Sequence, residues 1–247
     1  MKALGYGGLI LALTLLSQLG GVAWAGALFF RRRLLAFLAL YAALSLSALW
    51  VAPAFGRVPL SCTKAGPVQM QSWIYCILNR HYADPDVKDM LSDLGAALET
   101  KFPGTPTLVL DASFPFFDGF PMVPHLSHDD GRKVDLAFPY ADESGTYLSG
   151  KTRSPIGYFA FEDGPSPCAD TPSALRWNFA ALQPLWPDWS IEPDRLRFTL
   201  DWLARDGRVE KIFIEPHLRR QLGVSGERLR FQGCQAARHD DHIHLQI

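Results

Sequence analysis

Two stretches far apart in the chain constrain its fold more than anything else: His125-Leu-Ser-His128-Asp-Asp-Gly131-Arg-Lys-Val-Asp135 and His239-Asp-Asp-His242-Ile-His244. After a turn at Gly131, Val134, Leu136 and Phe138 alternate with Asp135, which is the period of a strand that buries one face. Farther on, Ile243, Leu245 and Ile247 alternate in the same way with His242, His244 and Gln246. Both strands should bury their apolar residues, leaving imidazole and carboxylate groups on the other side. Two neutral imidazoles and one carboxylate suit a borderline cation such as Zn2+, with a fourth position for water. The expectation is a catalytic zinc site on a sheet.

The second constraint is N-terminal. Residues 5–30 and 34–55 are almost wholly apolar and are separated by Arg31-Arg32-Arg33. Each run exceeds the roughly 20 residues that a spanning helix needs, and neither has an amphipathic stripe. Arginines are retained on the cytoplasmic side, so these runs are expected to form a transmembrane hairpin with both ends outside and everything after Arg57 extracytoplasmic. The implied address is a bacterial inner membrane with a periplasmic domain. A cleaved leader ending near Ala23-Trp24-Ala25 is the alternative, but it would carry three arginines across the membrane ahead of a second apolar run. The expected organisation is a membrane anchor over 1–56, a linker over 57–67 and a globular domain over 68–247. All four cysteines lie in the exported part, where disulfides form. Of three possible pairings, we expect Cys62 with Cys76 and Cys168 with Cys234; buried free thiols are the alternative. A net charge of -1 gives no support to a nucleic-acid partner.

Within the domain, Met70, Trp73, Ile74 and Ile77 suggest a first core helix over 68–80. Asp84-Pro85 supplies an N-cap and a first-turn proline for a helix that buries Val87, Leu91, Leu94 and Leu98. A strand is expected over 107–110, and the Phe- and Pro-rich residues 113–124 should pack beneath a loop. Residues 140–172 read as loops interrupted by a strand at 156–161. A helix is expected over 175–182, carrying Trp177 and Phe179. Another starts near Pro193, buries Leu196, Leu200 and Leu203, and stops at Gly207. A strand over 209–214, a short helix over 216–222 closed by Gly223, and strands at 228–231 and 241–247 complete the chain. The sum is an α+β domain with a small, mostly antiparallel sheet and flanking helices.

The histidine stretches resemble the zinc peptidase superfamily that contains lysostaphin-type enzymes, D-Ala-D-Ala peptidases and the hedgehog signalling domain. Its H-x6-D and H-x-H elements correspond to His128 with Asp135 and to His242-Ile-His244. Within that group the chain is most similar to penicillin-insensitive murein endopeptidases, through the run from His125, through Lys211-Ile-Phe-Ile-Glu215-Pro and through Arg238 to His244. The resemblance covers about the second half of the chain, and the apolar N-terminal region departs from it.

The resemblance implies a zinc ion held by His128, Asp135 and His244, with His242 and His239 flanking the water and the oxyanion. It makes His125 a supporting residue or a ligand of a second metal. For the general base we expect His242, then His239, with Asp241 a third candidate whose strand alternation would turn it toward the core. The implied activity is hydrolysis of peptidoglycan peptides next to D-Ala. A D,D- or L,D-carboxypeptidase and a non-hydrolytic zinc-binding envelope module are the alternatives.

Overall fold

The computed structural model describes residues 2–169, 176 and 179–247. Two-residue ladders join β1 (Val58–Pro59) to β3 (Tyr82–Ala83) and β6 (Tyr140–Ala141) to β7 (Ser190–Ile191). The central sheet has six strands, in the order β2 (Val68–Met70), β4 (Thr107–Val109), β5 (Lys133–Ala137), β10 (His242–Gln246), β8 (Lys211–Phe213) and β9 (Leu229–Arg230). Its three inner pairings are antiparallel and its two outer ones parallel. In the β5–β10 pair His244 lies opposite Asp135 and Leu245 opposite Val134. The two alternations therefore share a face, as their period requires. Val134, Leu136, Ile243 and Leu245 enter the core.

Helices close that core. Asp84 caps α5 (Pro85–Lys101) by accepting from the Asp86 N–H, and Val87, Leu91, Leu94 and Leu98 face inward. Glu192 caps α6 (Pro193–Arg205), which buries Leu196, Leu200 and Leu203. The short α7 (Pro216–Leu222) stops at Gly223, whose φ of 64° is the left-handed conformation that favours glycine. Each leucine buried here contributes about 1.5–3 kcal/mol of transfer free energy. The result is an α+β fold.

Four local expectations are corrected. Residues 68–80 do not form one helix: β2 pairs in parallel with β4, and only α4 (Trp73–Ile77) is helical. Strand pairing overrode the helical spacing, and Trp73 and Ile77 are exposed. Residues 156–161 make no ladder, because Gly157 and Phe159 take positive φ. Of the expected 175–182 helix, residues 175, 177 and 178 lie outside the described residues, and Ala180–Leu185 is a 3-10 turn. The 57–67 linker is part of the fold: Val58–Pro59 is paired, and Arg57 and Leu60 are buried.

The first apolar run is also not a single helix. It divides into α1 (Lys2–Ser17) and α2 (Gly20–Ala27), with the break at Gln18, whose φ is 59°. The Gln18 amide is bonded to the backbone of Phe116: Nε2 donates to the carbonyl at 2.6 Å, and Oε1 accepts from the N–H at 3.1 Å. α2 folds back on α1 so closely that a Cβ on Gly21 would lie 1.8 Å from Thr14 Oγ1. Arg33, which opens α3 (Arg33–Val51), donates to the Tyr6 hydroxyl. The starts of α1 and α3 therefore share one end, unlike the simple hairpin expected. Among the described residues, only Arg33–Phe55 is helical, long and apolar enough to cross a membrane. Both expected disulfides, Cys62–Cys76 and Cys168–Cys234, are formed, and no cysteine is free. They agree with an oxidising compartment.

Candidate metal centre

On the face of the sheet away from the helices, β5 supplies Asp135 and β10 supplies His242 and His244. The loop before β5 adds His125 and His128, and the approach to β10 adds His239. His128, Asp135 and His244 are at most 3 % exposed. His128 Nε2, Asp135 Oδ1 and His244 Nδ1 form a triangle with sides of 3.3, 2.8 and 3.2 Å. Ligand atoms about 2.0–2.2 Å from a tetrahedral ion would lie roughly 3.3 Å apart, so the triangle fits one face of such a site. These three residues form a group that could hold a metal ion.

The surroundings select the ligand atoms. His128 Nδ1–H donates to the Ala112 carbonyl at 2.9 Å, which leaves the lone pair on Nε2, inside the triangle. His244 Nε2 lies 3.1 Å from the side-chain amide of Gln246. The atom that faces it is the amide nitrogen, and His244 Nδ1 lies 2.8 Å from Asp135 Oδ1, so a metal ion would take the place of the Nδ1 proton. Asp135 Oδ2 accepts from the Tyr158 hydroxyl at 2.6 Å, which turns Oδ1 toward the histidines.

Behind the triangle lies a buried ion pair that the sequence did not disclose. Asp111 is gripped by the Arg80 guanidinium, with Nε 2.9 Å from Oδ1, and also accepts from His125 Nδ1 at 2.8 Å. His125 Nδ1 is 3.3 Å from Asp135 Oδ2. Asp111, His125 and His128 make a second group close enough for an ion, but a cation there would compete with Arg80 for Asp111. Arg80 and Asp111 lie 31 positions apart in irregular segments, without a spacing that marks them as partners.

His242 Nδ1 is 2.5 Å from Asp241 Oδ1, and its Nε2 is 3.8 Å from Asp135 Oδ1. Asp241 also accepts from the Phe159 N–H. It turns to the site, contrary to the expectation from alternation, because it precedes β10 and is not subject to the strand period. Burial opposes protonation of His242, but Asp135 and Asp241 outweigh it and raise its pKa to about 9. Burial lowers His244 to about 4 and, helped by the neighbouring His242, holds His239 well below the usual range. Glu215 accepts from the His239 N–H and pairs with Arg176 at 2.7 Å, fixing the approach to β10.

These groups open onto a cleft of about 430 Å3, bounded in part by Pro124, Leu126, Phe159 and Phe161. Arg238 is the sole lysine or arginine among its described lining residues. Its guanidinium is committed to Asp240, with Nε 2.9 Å from Oδ1, and lies over the Phe161 ring.

Comparison with protein-family models finds no match, and comparison with curated proteins finds none either.

Proposed function

We propose that this chain is a membrane-anchored, extracytoplasmic zinc metallopeptidase that cleaves peptidoglycan peptides, as an endopeptidase next to D-Ala. One observation carries the reading: two imidazole nitrogens and one carboxylate oxygen converge within 3.3 Å, beside three more histidines and beneath a cleft. The likeness of the His125–Asp135 and His239–His244 stretches to murein endopeptidases supplies the substrate class. The apolar Arg33–Phe55 stretch and the two disulfides support the address.

His128, Asp135 and His244 would hold a zinc ion, which when bound would supply a Lewis acid for activating water and a positive charge opposing the protonation of His242. Asp241 accepts the His242 Nδ1–H, so Nε2 is the nitrogen available for proton transfer. His242 takes a proton from the attacking water and hands it to the leaving amine. His239, kept neutral by burial, offers an N–H to the developing oxyanion. The pairing of Arg238 with Asp240 supports an internal bond over a chain end, because it occupies the one cationic side chain among the described lining residues.

The test uses the full chain in detergent micelles, incubated with purified sacculi and zinc, with muropeptides read by mass spectrometry. Cross-linked dimers should fall to monomers, and His242→Ala should lose the rate while retaining zinc. Release of terminal D-Ala alone would make the protein a carboxypeptidase. No product from the zinc-loaded chain would overturn the peptidase reading.

A further inference from the structure

We propose that the N-terminal helices are a working part of the metal centre: Gln18, Phe55 and Arg57 hold the loop 113–131, which carries His125 and His128. Three kinds of contact make this brace. Gln18, 6 % exposed, closes both of its amide hydrogen bonds on the Phe116 backbone. The Phe55 ring stands edge-on to Phe116 and Phe117, with centroids 5.0 and 5.5 Å away. Arg57, 4 % exposed, pairs with Asp118 and packs against Gly131, where a Cβ would lie 2.4 Å from its Nε. Arg57 thus touches the loop near both ends of the segment between Asp118 and Gly131.

Inside the loop the constraint passes toward the ligands. The Gly119 N–H donates to the Asp129 carbonyl at 3.1 Å, and Arg80 donates to the Val123 carbonyl at 2.8 Å. Arg80 also grips Asp111, which takes His125, and the His128 N–H donates to the His125 carbonyl at 3.0 Å. Residues 116–131 contain no helix or strand, so these contacts do what a ladder would do elsewhere. Loss of residues 1–25, as with a cleaved leader, would remove Gln18 and orphan the Phe116 N–H and carbonyl. Gln18, Phe55 and Arg57 are positioning residues that act through the loop.

The inference rests on the metal centre proposed above, but not on hydrolysis. It is tested on the full chain in detergent micelles by zinc competition against a chromogenic chelator. The variants are Gln18→Ala, Gln18→Glu and Arg57→Ala, with Ser47→Ala as the control, since Ser47 is exposed on α3 and bonds only the Ala43 carbonyl. Gln18→Ala and Arg57→Ala should weaken zinc binding roughly tenfold. Gln18→Glu, which sets a carboxylate oxygen against the Phe116 carbonyl, should weaken binding at least as much as Gln18→Ala, and Ser47→Ala should match wild type. Circular dichroism checks the fold of each variant; if Gln18→Ala does not fold, Gln18→Glu carries the comparison. Wild-type zinc affinity in the Gln18 and Arg57 variants would overturn the brace alone. A wild-type chain that binds no zinc would overturn the brace and the metal centre together.

Discussion

Replacing Asp111 by Asn tests the support of the site most directly. The substitution keeps the size of the side chain and removes its charge. Asp111 is 1 % and Arg80 5 % exposed, so the guanidinium would be left buried without its counter-ion. Breaking such a pair costs about 3–5 kcal/mol. For a domain of this size each kcal/mol is worth about 2–4 °C in Tm, so the variant should melt roughly 10 °C lower at pH 7. Burial pushes the Asp111 carboxyl up, but Arg80 outweighs it and holds the pKa below the ordinary 3.8. A depressed carboxylate contributes stability above its unfolded value and loses it as pH falls through the folded one. The gap between wild type and variant should therefore be constant from about pH 5 to 8 and shrink in more acidic solution. Thermal melts of Asp111→Asn, Arg80→Met and the double variant would form a cycle. The coupling between the two sites should exceed about 1 kcal/mol. If Asp111→Asn melts within 2 °C of wild type, or its loss is unchanged when Arg80 is already absent, the pair does not support the site.

Zinc at about 100 times its Kd should stabilise the chain by about 2.7 kcal/mol and raise Tm by several degrees. A chelator or His128→Ala should abolish that shift; a shift that survives in His128→Ala would place the metal elsewhere. Opening the Cys168–Cys234 disulfide, which spans 66 positions, should cost about 4 kcal/mol in the chain-entropy account. Paired serine substitutions read by thermal melting check this, and an unchanged Tm would refute it. Burial raises the Glu162 carboxyl to about 7 against the pull of Arg153. The folded state then retains a proton that the unfolded state has lost, so stability should fall by up to about 3 kcal/mol as pH climbs from about 4 to 7. Glu162→Gln should reduce that slope, leaving the part due to Asp240, which burial raises to about 6, and a variant profile as steep as wild type would count against the shift.

Much of the site was legible because the strand period is a local property. With Val134 and Leu136 buried, Asp135 has to lie on the other face, and the same holds for His244 between Ile243 and Leu245. The caps at Asp84 and Gly223 were equally local, since a side-chain acceptor or a left-handed turn acts within a few residues. Periodicity failed where pairing with a distant strand took over, as at Val68–Met70, and where no regular element exists, as at Tyr158 and Asp241.

The sequence by itself determined which residues stand on the non-core face of β5 and β10, and hence which imidazoles and carboxylate can meet. Only the tertiary structure decided the register that sets His244 against Asp135, the Arg80–Asp111 pair behind them and the break at Gln18 that bonds the Phe116 backbone. A side-chain period is written in consecutive residues. A buried charge pair or a capped loop instead depends on which distant segment excludes water there, and that is settled only when the whole chain packs.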